Sequence, residues 1–366
     1  MYINSLDSNY GSTYRSRHIA KALNELNLEC VYVESNLRNF GFPYLSNVIS
    51  IYQPNNLVGY FGATVKRAIV AVRQNYDILF VQKLTPLTVP CIIVAKLRGK
   101  KCIVDWDDLD WALQKNIFKK IIVFLCEHFF CYVPDLVTTH SRRLKRYANR
   151  LGVKRIEIVN QIVDFDKREI TEEEKDRLKE SIGAKEKTII CFLGTLTAGG
   201  ARGLDVIIKA VGRLARKRND FFFLILGGGP LERKIKNLIN RFDITNNTYI
   251  TGIISHEEVP KYLSIVDIGL VYMPDNIGDR MRVSLKVLEY LSLGIPIIGR
   301  IIGETKDIFS KFCVAVDSYE DFVLKIDHLL NSQAIEKDNF SRVVSESYSL
   351  TALRNSLKQI LTMILA

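Results

Sequence analysis

The chain has 366 residues, of which 48% are hydrophobic and 25% are charged. This is the balance of a folded globular protein, and the length exceeds what one hydrophobic core usually serves, so we expect two domains. The N-terminus lacks a basic segment followed by an apolar one, and no later run reaches about 18 uncharged apolar residues. The sequence therefore predicts neither a signal peptide nor a membrane-spanning helix.

The net charge of +11 is concentrated in the first half of the chain. Residues 1–165 hold 22 lysines and arginines against 13 acids, which gives +9, whereas residues 166–366 hold 29 against 27, which gives +2. A basic half suggests an anionic partner, and because there is no nucleic-acid motif or run of stacking aromatics, an anionic membrane surface or acceptor is favoured over DNA or RNA. The alternative is a solvated surface without a partner.

The seven cysteines form no Cys-x-x-Cys pair and lie mostly in apolar runs. They indicate reduced, packed thiols in a cytoplasmic protein. Cys126, His128 and Cys131 lie close together in the sequence. A zinc site there would need a fourth ligand, so an apolar helix face is the simpler explanation and no metal is expected.

Predicted strands and helices alternate in the first half, which is typical of a doubly wound α/β domain. A turn around Gly11 precedes a helix from Thr13 to Leu26, where Arg15 could face a phosphate or simply meet water. The following predicted elements are strand Cys30–Val33, strand Asp77–Gln82, helix Val89–Leu97, a strand from Lys100, helix Ile117–Val133, strand Asp135–Ser141 and a basic helix capped by Ser141. We expect helix Ile117–Val133 to be buried, with a membrane-surface helix as the alternative, and the basic helix to meet the anionic surface.

Three acids, Asp105, Asp107 and Asp108, follow the strand that starts at Lys100. Open α/β sheets bind ligands beyond the carboxyl ends of their strands, and the only two tryptophans, Trp106 and Trp111, flank these acids. Apolar rings beside carboxylates predict a sugar site. The alternative is an acidic loop that caps the next helix.

The second half repeats the strand, loop and helix pattern after a linker at Asn160–Asp164 and a charged helix that a capping box opens at Thr171. Strand Thr188–Leu193 is followed by a loop, Gly194–Gly203, with four glycines and Arg202. Backbone amides and a fixed cation suit a diphosphate, although the loop matches neither Gly-x-Gly-x-x-Gly nor a Walker A motif. The later predicted strands are Phe221–Leu226, Tyr249–Gly252, Ile268–Tyr272 and Ile295–Ile298, and the last predicted helix is Leu350–Leu365.

The stretch Arg282–Pro296 predicts one helix, with Ser284 as its N-cap and Gly294 as its end. Lys286 and Glu289 are three residues apart and share a face near the helix N-terminus, where free backbone N–H groups attract an anion. A phosphate and a sugar hydroxyl could both bind here. The alternative is a surface ion pair.

In this order, the elements resemble the retaining glycosyltransferases of the GT-B fold, of the family four or glycosyl transferases group 1 type. The matching segments are Arg202–Ala210, Leu226–Pro230, Gly252, Val259–Leu263 with Asp267, and Lys286–Pro296. The first half is similar only in outline. The resemblance implies an α/β protein with two Rossmann-like domains facing a cleft: an acceptor domain at 1–163, a nucleotide-sugar domain at 164–345, and a helix at 346–366 that packs back on the first domain.

The resemblance also implies a metal-independent, hexosyltransferase-like enzyme that moves a sugar, with retention, from a nucleotide diphosphate-sugar to a saccharide or lipid-linked acceptor. The +9 charge of the first half further suggests that the acceptor is met at the cytoplasmic face of the inner membrane, in cell-surface polysaccharide or glycolipid assembly. Glu289 would bind the ribose hydroxyls, and Arg202 and Lys286 would neutralise the diphosphate, so no metal or other cofactor is expected. The candidate catalytic residues are Arg202, Lys286, Glu289, Asp105 and Asp107, and the candidate donor-binding residues are Gly11, Gly194, Thr195, Gly228, Ile253, Ile254, Arg282, Ser284, Leu285 and Gly303.

Three positions depart from the family pattern. Met281 stands where the family has the first of two glutamates, Thr195 stands where it has an arginine, and the acids from Asp105 to Asp108 replace a histidine. Two other hypotheses therefore stay open. One is a catalytically idle GT-B subunit that binds a nucleotide sugar or a protein partner, and the other is a magnesium-dependent phosphohydrolase that uses Asp105 and Asp107.

Overall fold

The structure is a computed structural model that describes residues 1–7, 13–35, 47–53, 56–165, 169–331 and 340–365. The chain forms two compact units. Unit 1 comprises Met1–Ile162, Asn276–Val283 and Tyr348–Ala366, and unit 2 comprises Val163–Asp275 and Ser284–Ser347. The sequence-based division has no counterpart for the segment Asn276–Val283, which interrupts unit 2 in sequence but packs in unit 1, where Met281 lies against the apolar core.

Unit 1 is built on a parallel sheet with helices on both faces. Its strands are β1 (Tyr2–Asp7), β2 (Tyr32–Ser35), β3 (Val48–Ile51), β4 (Ile78–Gln82), β5 (Lys101–Asp105), β6 (Leu136–Thr139) and β7 (Ile156–Ile158). Its first helices are α1 (Tyr14–Glu25), α2 (Leu57–Arg73), α3 (Val89–Leu97), α4 (Asp110–Leu113), α5 (Ile117–Phe130) and α6 (Arg142–Leu151). The strand order is β3-β2-β1-β4-β5-β6-β7, and each neighbouring pair is parallel.

Unit 2 repeats this architecture. Its strands are β8 (Thr188–Leu193), β9 (Phe221–Leu226), β10 (Thr248–Ile250), β11 (Ile268–Tyr272), β12 (Ile297–Arg300) and β13 (Cys313–Ala315). The remaining helices of the chain are α7 (Glu172–Ser181), α8 (Leu204–Ala215), α9 (Glu232–Arg241), α10 (Val259–Leu263), α11 (Ile277–Arg280), α12 (Leu285–Ser292), α13 (Gly303–Phe309), α14 (Tyr319–Asn331), α15 (Phe340–Ser347) and α16 (Leu350–Leu365), of which α11 and α16 belong to unit 1. The strand order is β10-β9-β8-β11-β12-β13, with parallel pairs throughout.

Both sheets therefore have the doubly wound order, which reverses between β1 and β4 in unit 1 and between β8 and β11 in unit 2. Helices cover both faces of each sheet, so a central strand can be a continuous apolar run, as β9 shows with six buried residues. The predicted α/β class with two Rossmann-like sheets is confirmed.

The C-terminal helix α16 packs on unit 1, as the resemblance implies. Leu357 and Ile360 of α16 share an apolar core with Ile19 and Leu23 of α1. Arg354 reaches Glu25 of α1 across the same interface, at 3.4 Å. The helix therefore completes one face of the first sheet.

The helix predicted within Arg282–Pro296 is present but short. α12 begins at Leu285, and Ser284 occupies the N-cap position without a capping bond from its side chain, which corrects that prediction. The Ser284 N–H instead donates to Thr305 Oγ1, at 3.0 Å. Gly294 follows the helix with a φ of 70°, a left-handed conformation that favours glycine, so the predicted end is confirmed.

Two further predictions concern surface and membrane. α5 buries Val123 and Cys126, but Phe118 and Phe129 on its outer side are exposed, so the predicted burial of the helix is wrong for that side. Within the described ranges, no helix is both long enough and apolar enough to cross a bilayer.

Candidate functional site

The candidate donor site lies in unit 2, at the carboxyl ends of its strands. The strand order reverses between β8 and β11, and ligands of open α/β sheets bind in the crevice at such a point. The glycine loop Gly194–Gly203 follows β8, the loop Gly227–Pro230 follows β9, and Gly252 follows β10. The three segments that carry the resemblance therefore lie at one end of the sheet.

These loops meet through their backbones. The Leu196 N–H donates to Gly228 O, at 2.9 Å, and the Gly227 N–H donates to Thr251 Oγ1, at 3.0 Å. A Cβ atom on Gly228 would overlap the backbone at Gly252 and Ile253. Glycine is required at position 228 because two loops approach this closely, and the resulting wall presents peptide groups rather than side chains.

The β8 loop has its own close contacts. A Cβ atom on Gly200 would overlap Thr195, whose hydroxyl lies 3.3 Å from the Thr197 hydroxyl. A Cβ atom on Gly194 would lie 3.2 Å from Lys286 Nζ. The loop is therefore folded tightly around the start of α12.

Two cationic side chains contact this loop. Lys286, in the first turn of α12, places Nζ 3.4 Å from Gly200 O and 4.1 Å from the centroid of the Phe192 ring. The Arg202 Nε–H donates to Gly199 O, at 3.0 Å. The structure thus brings together the predicted phosphate-binding residues Arg202 and Lys286 at the predicted glycine loop.

Glu289, one turn along α12 from Lys286, is only 7% exposed. Tyr290 beside it anchors the helix to β8 by donating to Cys191 O, at 2.8 Å. Within the described part of the chain nothing donates a hydrogen bond to the Glu289 carboxylate, and burial raises the pKa of this group to about 7, against the lowering effect of the Lys286 charge. This burial rules out the surface ion-pair alternative and leaves acceptor oxygens that suit ligand hydroxyls.

The remaining donor-site candidates of unit 2 border this centre. Gly303 begins α13, where Thr305 is fully buried and accepts from the Ser284 N–H. Leu285 and Ile254 are half-buried, whereas Ile253 is 78% exposed although it is apolar. Ile253 is therefore an apolar surface at the edge of the glycine loops.

Two predicted donor-binding residues, Arg282 and Gly11, are not residues of unit 2. Arg282 belongs to unit 1, where its Nε lies 3.7 Å from Asp279 Oδ1. Gly11 falls outside the described residues.

In unit 1, Asp105 makes an internal ion pair. Arg15 donates to both of its carboxylate oxygens, at 2.7 and 2.8 Å, and Thr138 Oγ1 donates to it at 2.8 Å. Arg15 also donates to Val159 O, at 2.9 Å. Asp105 is fully buried, so its predicted catalytic role is corrected to one in which it joins α1 to the sheet.

The neighbouring acids surround Lys83, which follows β4 with a φ of 69°. Its Nζ lies 2.9 Å from Asp107, 3.0 Å from Asp110 and 3.4 Å from Asp108. Burial opposes the charge of Lys83, but these carboxylates raise its pKa well above the usual value. The mutual repulsion of these carboxylates, which suggested a functional site, is therefore offset by the charge of Lys83.

The sugar-site and helix-cap readings of these acids are both corrected. Trp106 is fully buried and its Nε1–H donates to Glu127 Oε1, at 3.2 Å, so its ring offers no stacking surface. The N-cap of α4 is Leu109, not an acid. Because Asp105 and Asp107 are both paired with buried cations, they do not form the open carboxylate pair that a phosphohydrolase needs.

The metal alternative near α5 also fails. Both ring nitrogens of His128 have protein partners, Phe124 O and Tyr147 Oη, each at 2.8 Å. Across the described ranges there is no group of three or more histidine, cysteine and acidic side chains placed to hold a metal ion.

Sequence reasoning missed Lys83 and His140. His140 follows β6 and is buried, and burial, with the Arg15 charge next, lowers its pKa to about 4, so the ring is neutral at pH 7. Its Nδ1 has no hydrogen-bond partner. The available signal was position, because both residues directly follow the carboxyl end of a strand.

The fold is that of the GT-B glycosyltransferases. A family model described as "Glycosyl transferases group 1" matches residues 174–346. The Anabaena protein Alr3699/HepE, solved in complex with UDP and glucose, has a TM-score of 0.78 and 13% identity over 99% of this chain and 100% of that one. The predicted resemblance is therefore confirmed: residues 174–346 match the glycosyl transferases group 1 family model, and the whole chain shares the fold of the solved GT-B structure.

Curated relatives match less than half of the chain. An alpha-D-kanosaminyltransferase of Streptomyces kanamyceticus is 26% identical over 168 residues, which is 44% of this chain and 41% of the relative. A GDP-mannose-dependent alpha-(1-6)-phosphatidylinositol monomannoside mannosyltransferase of Mycolicibacterium smegmatis is 24% identical over 168 residues, 45% of this chain and 44% of the relative. The chain thus spans less than half the length of these curated relatives.

Proposed function

We propose that the protein is a glycosyltransferase that transfers a hexose-type sugar from a nucleotide diphosphate-sugar to an acceptor. The observation that carries the proposal is the centre in unit 2, where a buried carboxylate without hydrogen-bond donors lies one helical turn from Lys286, whose Nζ contacts the glycine loop. A nucleoside diphosphate suits both side chains: its ribose hydroxyls can donate hydrogen bonds to the carboxylate, and its phosphates carry negative charge for the lysine.

Each residue has a defined task in this proposal. The Glu289 carboxylate accepts hydrogen bonds from two ribose hydroxyls, which restores the partners that it gave up on burial. Lys286 and Arg202, together with the peptide N–H groups of Thr195 and the start of α12, bind the diphosphate, while the Gly194 N–H donates to Leu226 O, at 3.0 Å. Further contacts come from Gly228 and Ile253 toward the base and from Gly303 toward the donor sugar.

The chemistry requires stabilisation of a leaving group. When the glycosyl–phosphate bond breaks, negative charge grows on the diphosphate, and fixed cations that already point at it lower the barrier. Lys286 and Arg202 supply these charges without a metal, so we propose a metal-independent reaction. Retention of the anomeric configuration is proposed from the family alone.

The acceptor is proposed to be a saccharide or a lipid-linked saccharide in cell-surface polysaccharide or glycolipid assembly. A relative from Mycolicibacterium smegmatis is named for a phosphatidylinositol mannoside acceptor, and unit 1 contains most of the basic first half of the chain. We therefore propose a cytoplasmic enzyme that works at the inner membrane face.

A screen of thermal stability with UDP, GDP, ADP and CMP tests the donor site, because a ligand that binds the folded state raises the melting temperature. We expect one nucleoside diphosphate to raise it clearly. Hydrolysis of the corresponding nucleotide sugars, in wild type and in Glu289→Ala, then tests the activity. Slow hydrolysis of one donor that Glu289→Ala abolishes supports the enzyme.

Met281 favours a second candidate, a catalytically idle subunit that binds a nucleotide sugar or a protein partner. Its side chain packs against the core of unit 1, at the position where the family has an acid. Nucleotide binding without turnover of any donor, in the presence of candidate acceptors, would support this second candidate and contradict the first.

A further inference from the structure

We propose that the outer sides of α2 and α5 in unit 1 form a surface that binds anionic lipid bilayers. We call it the α2–α5 face and define it by Leu57, Phe61 and Val65 on α2 and Phe118, Ile122 and Phe129 on α5. The proposal deepens the proposed function, on which its biological meaning rests, by naming the surface that would hold the enzyme beside a lipid-linked acceptor.

α5 has two unlike sides. Val123 and Cys126 are buried toward the sheet, whereas Phe118 is 73% and Phe129 is 66% exposed, and Ile122 is half exposed. Residues at spacings of three and four lie on one side of a helix. These exposed side chains therefore form one stripe along the outside of α5.

α2 repeats the pattern. Ala63, Arg67 and Ala71 are buried toward the sheet, while Leu57 is 87% and Phe61 is 71% exposed. Single exposed apolar residues are common on folded proteins, but a stripe of them on each of two helices is not. Burial against the rest of unit 1 does not explain either stripe.

The two stripes lie on the same side of unit 1. Ala63 of α2 and Cys131, which directly follows α5, belong to one apolar core on one face of the sheet. Tyr60 of α2 is close enough to Cys126 of α5 that, after burial, this thiol is the next cause that raises the pKa of Tyr60 to about 12. Both helices therefore cover the same face of the first sheet, and both stripes lie on the side turned away from it.

The charges on these helices indicate which partner the α2–α5 face binds. Lys66 and Arg73 on α2 and Lys119 on α5 are exposed, as is Lys115 just before α5. The one acid in either helix, Glu127, is buried and accepts hydrogen bonds from the Trp106 side chain and the Asp110 N–H. The rim of the face is positive, so a second copy of the same face would bring like charges together, whereas an anionic bilayer offers apolar depth and negative charge.

The predicted membrane helix, α6, lacks this combination. Its apolar residues Leu144 and Ala148 are buried, and Lys145 lies 3.5 Å from Glu157. Arg146 and Arg150 are exposed without an apolar side chain beside them to insert. α6 can add electrostatic attraction, but insertion belongs to α2 and α5.

Vesicle flotation tests the proposal, and it requires neither nucleotide nor activity. The full chain is floated with vesicles of phosphatidylcholine alone and of equal parts phosphatidylcholine and phosphatidylglycerol. We expect binding to the mixed vesicles, a loss of at least tenfold in the partition coefficient for Phe61→Ser with Phe118→Ser, and a loss of lipid selectivity for Lys66→Gln with Lys119→Gln. The matched control is Leu324→Ser with Met363→Ser, which removes exposed apolar residues of α14 and α16 and should change nothing.

Several results would overturn the proposal: no flotation of the wild type, flotation of the Phe61 and Phe118 double variant equal to wild type, or loss of binding only when Arg146 and Arg150 are replaced by glutamine. If light scattering shows that the wild type self-associates and that Phe61→Ser with Phe118→Ser abolishes this association, the face would instead bind a second copy of the chain. Circular dichroism melting confirms folding of each variant. A nucleotide-induced thermal shift on the same samples separates failure here from failure of the proposed function, because the donor site is in unit 2.

Discussion

Charged side chains lie at the carboxyl ends of the strands in both sheets, but they are paired differently in the two units. In unit 1, Asp105 is paired with Arg15, and Lys83 is surrounded by Asp107, Asp108 and Asp110. In unit 2, the buried Glu289 carboxylate has no donor within the described part of the chain. A buried charge without partners is costly, so the acids named in unit 1 are stabilised by internal cations, whereas in the proposed function Glu289 takes its partners from a ligand. In the proposed function, the site is therefore marked by the carboxylate without donors rather than by the larger number of charges.

The largest expected effect comes from breaking the complete arrangement. Lys83→Met leaves three carboxylates without their shared cation, and we expect a loss of about 3–5 kcal/mol in the free energy of unfolding of unit 1. Urea unfolding followed by circular dichroism measures it.

Lys96→Met is the matched control for Lys83→Met. Lys96 pairs with Asp135 at 2.9 Å, but its side chain is more than one-third exposed. We expect a loss of less than about 1 kcal/mol. Equal losses for the two variants would remove the distinction between buried and surface pairs in unit 1.

In unit 2, Lys286→Met should weaken binding of the nucleoside diphosphate by about 10- to 100-fold, because a charge-assisted contact contributes about 1.5–3 kcal/mol. Binding of the corresponding nucleoside should be unchanged. Isothermal titration calorimetry of both ligands separates a phosphate contact from a general disturbance. Lys209→Met, on α8, is the control and should bind both ligands as wild type does.

A substitution at the closely packed Gly228 should give a smaller effect, and the nearby Gly199 provides the control. A Cβ on Gly228 overlaps the backbone of a neighbouring loop, whereas a Cβ on Gly199 has nothing within 4 Å. We expect Gly228→Ala to destabilise unit 2 by about 1–3 kcal/mol and to weaken nucleotide binding, and Gly199→Ala to do neither. Thermal melting with and without nucleotide checks both, and similar behaviour of the two variants would contradict the packing described for these loops.

The smallest effect is a dependence on pH. Burial raises the pKa of Glu289 to about 7, so the folded state binds more protons than the unfolded state above the ordinary carboxyl pKa. The stability contribution of Glu289 is therefore fully present below its unfolded pKa and is lost as pH rises through about 7. Nucleotide affinity should change in the opposite direction, rising about tenfold from pH 6 to pH 8 as the carboxylate forms. Calorimetry across this range checks the slope, and a flat profile in wild type would exclude Glu289 as the titrating acceptor.

Much of the fold follows from local patterns. The apolar runs Thr188–Leu193 and Phe221–Leu226 predicted strands with the observed bounds because parallel strands covered on both faces are apolar throughout. Helix α2, at Leu57–Arg73, was not predicted. Its two glycines and several β-branched residues weaken the helical signal.

The residues of the two units also differ in whether local sequence patterns could predict their contacts. Lys286, Glu289 and the glycine loop were found because short spacings bring their parts together. The pairing of Arg15 with Asp105 joins residues 90 positions apart, and no local pattern encodes it. Apolar composition likewise could not show that one side of α5 stays uncovered, because composition does not say which elements pack against a helix.

Glu289→Gln at pH 8 tests the central claim most directly, since the substitution keeps the shape and removes the charge. The account predicts opposite changes: the melting temperature without ligand rises, because removing an unpaired buried charge is worth up to about 3 kcal/mol, while nucleotide affinity falls by about 100-fold. Calorimetry and thermal melting of one preparation measure both. Affinity equal to wild type, or a lower melting temperature, would contradict the conclusion that unit 2 holds this carboxylate for a ligand.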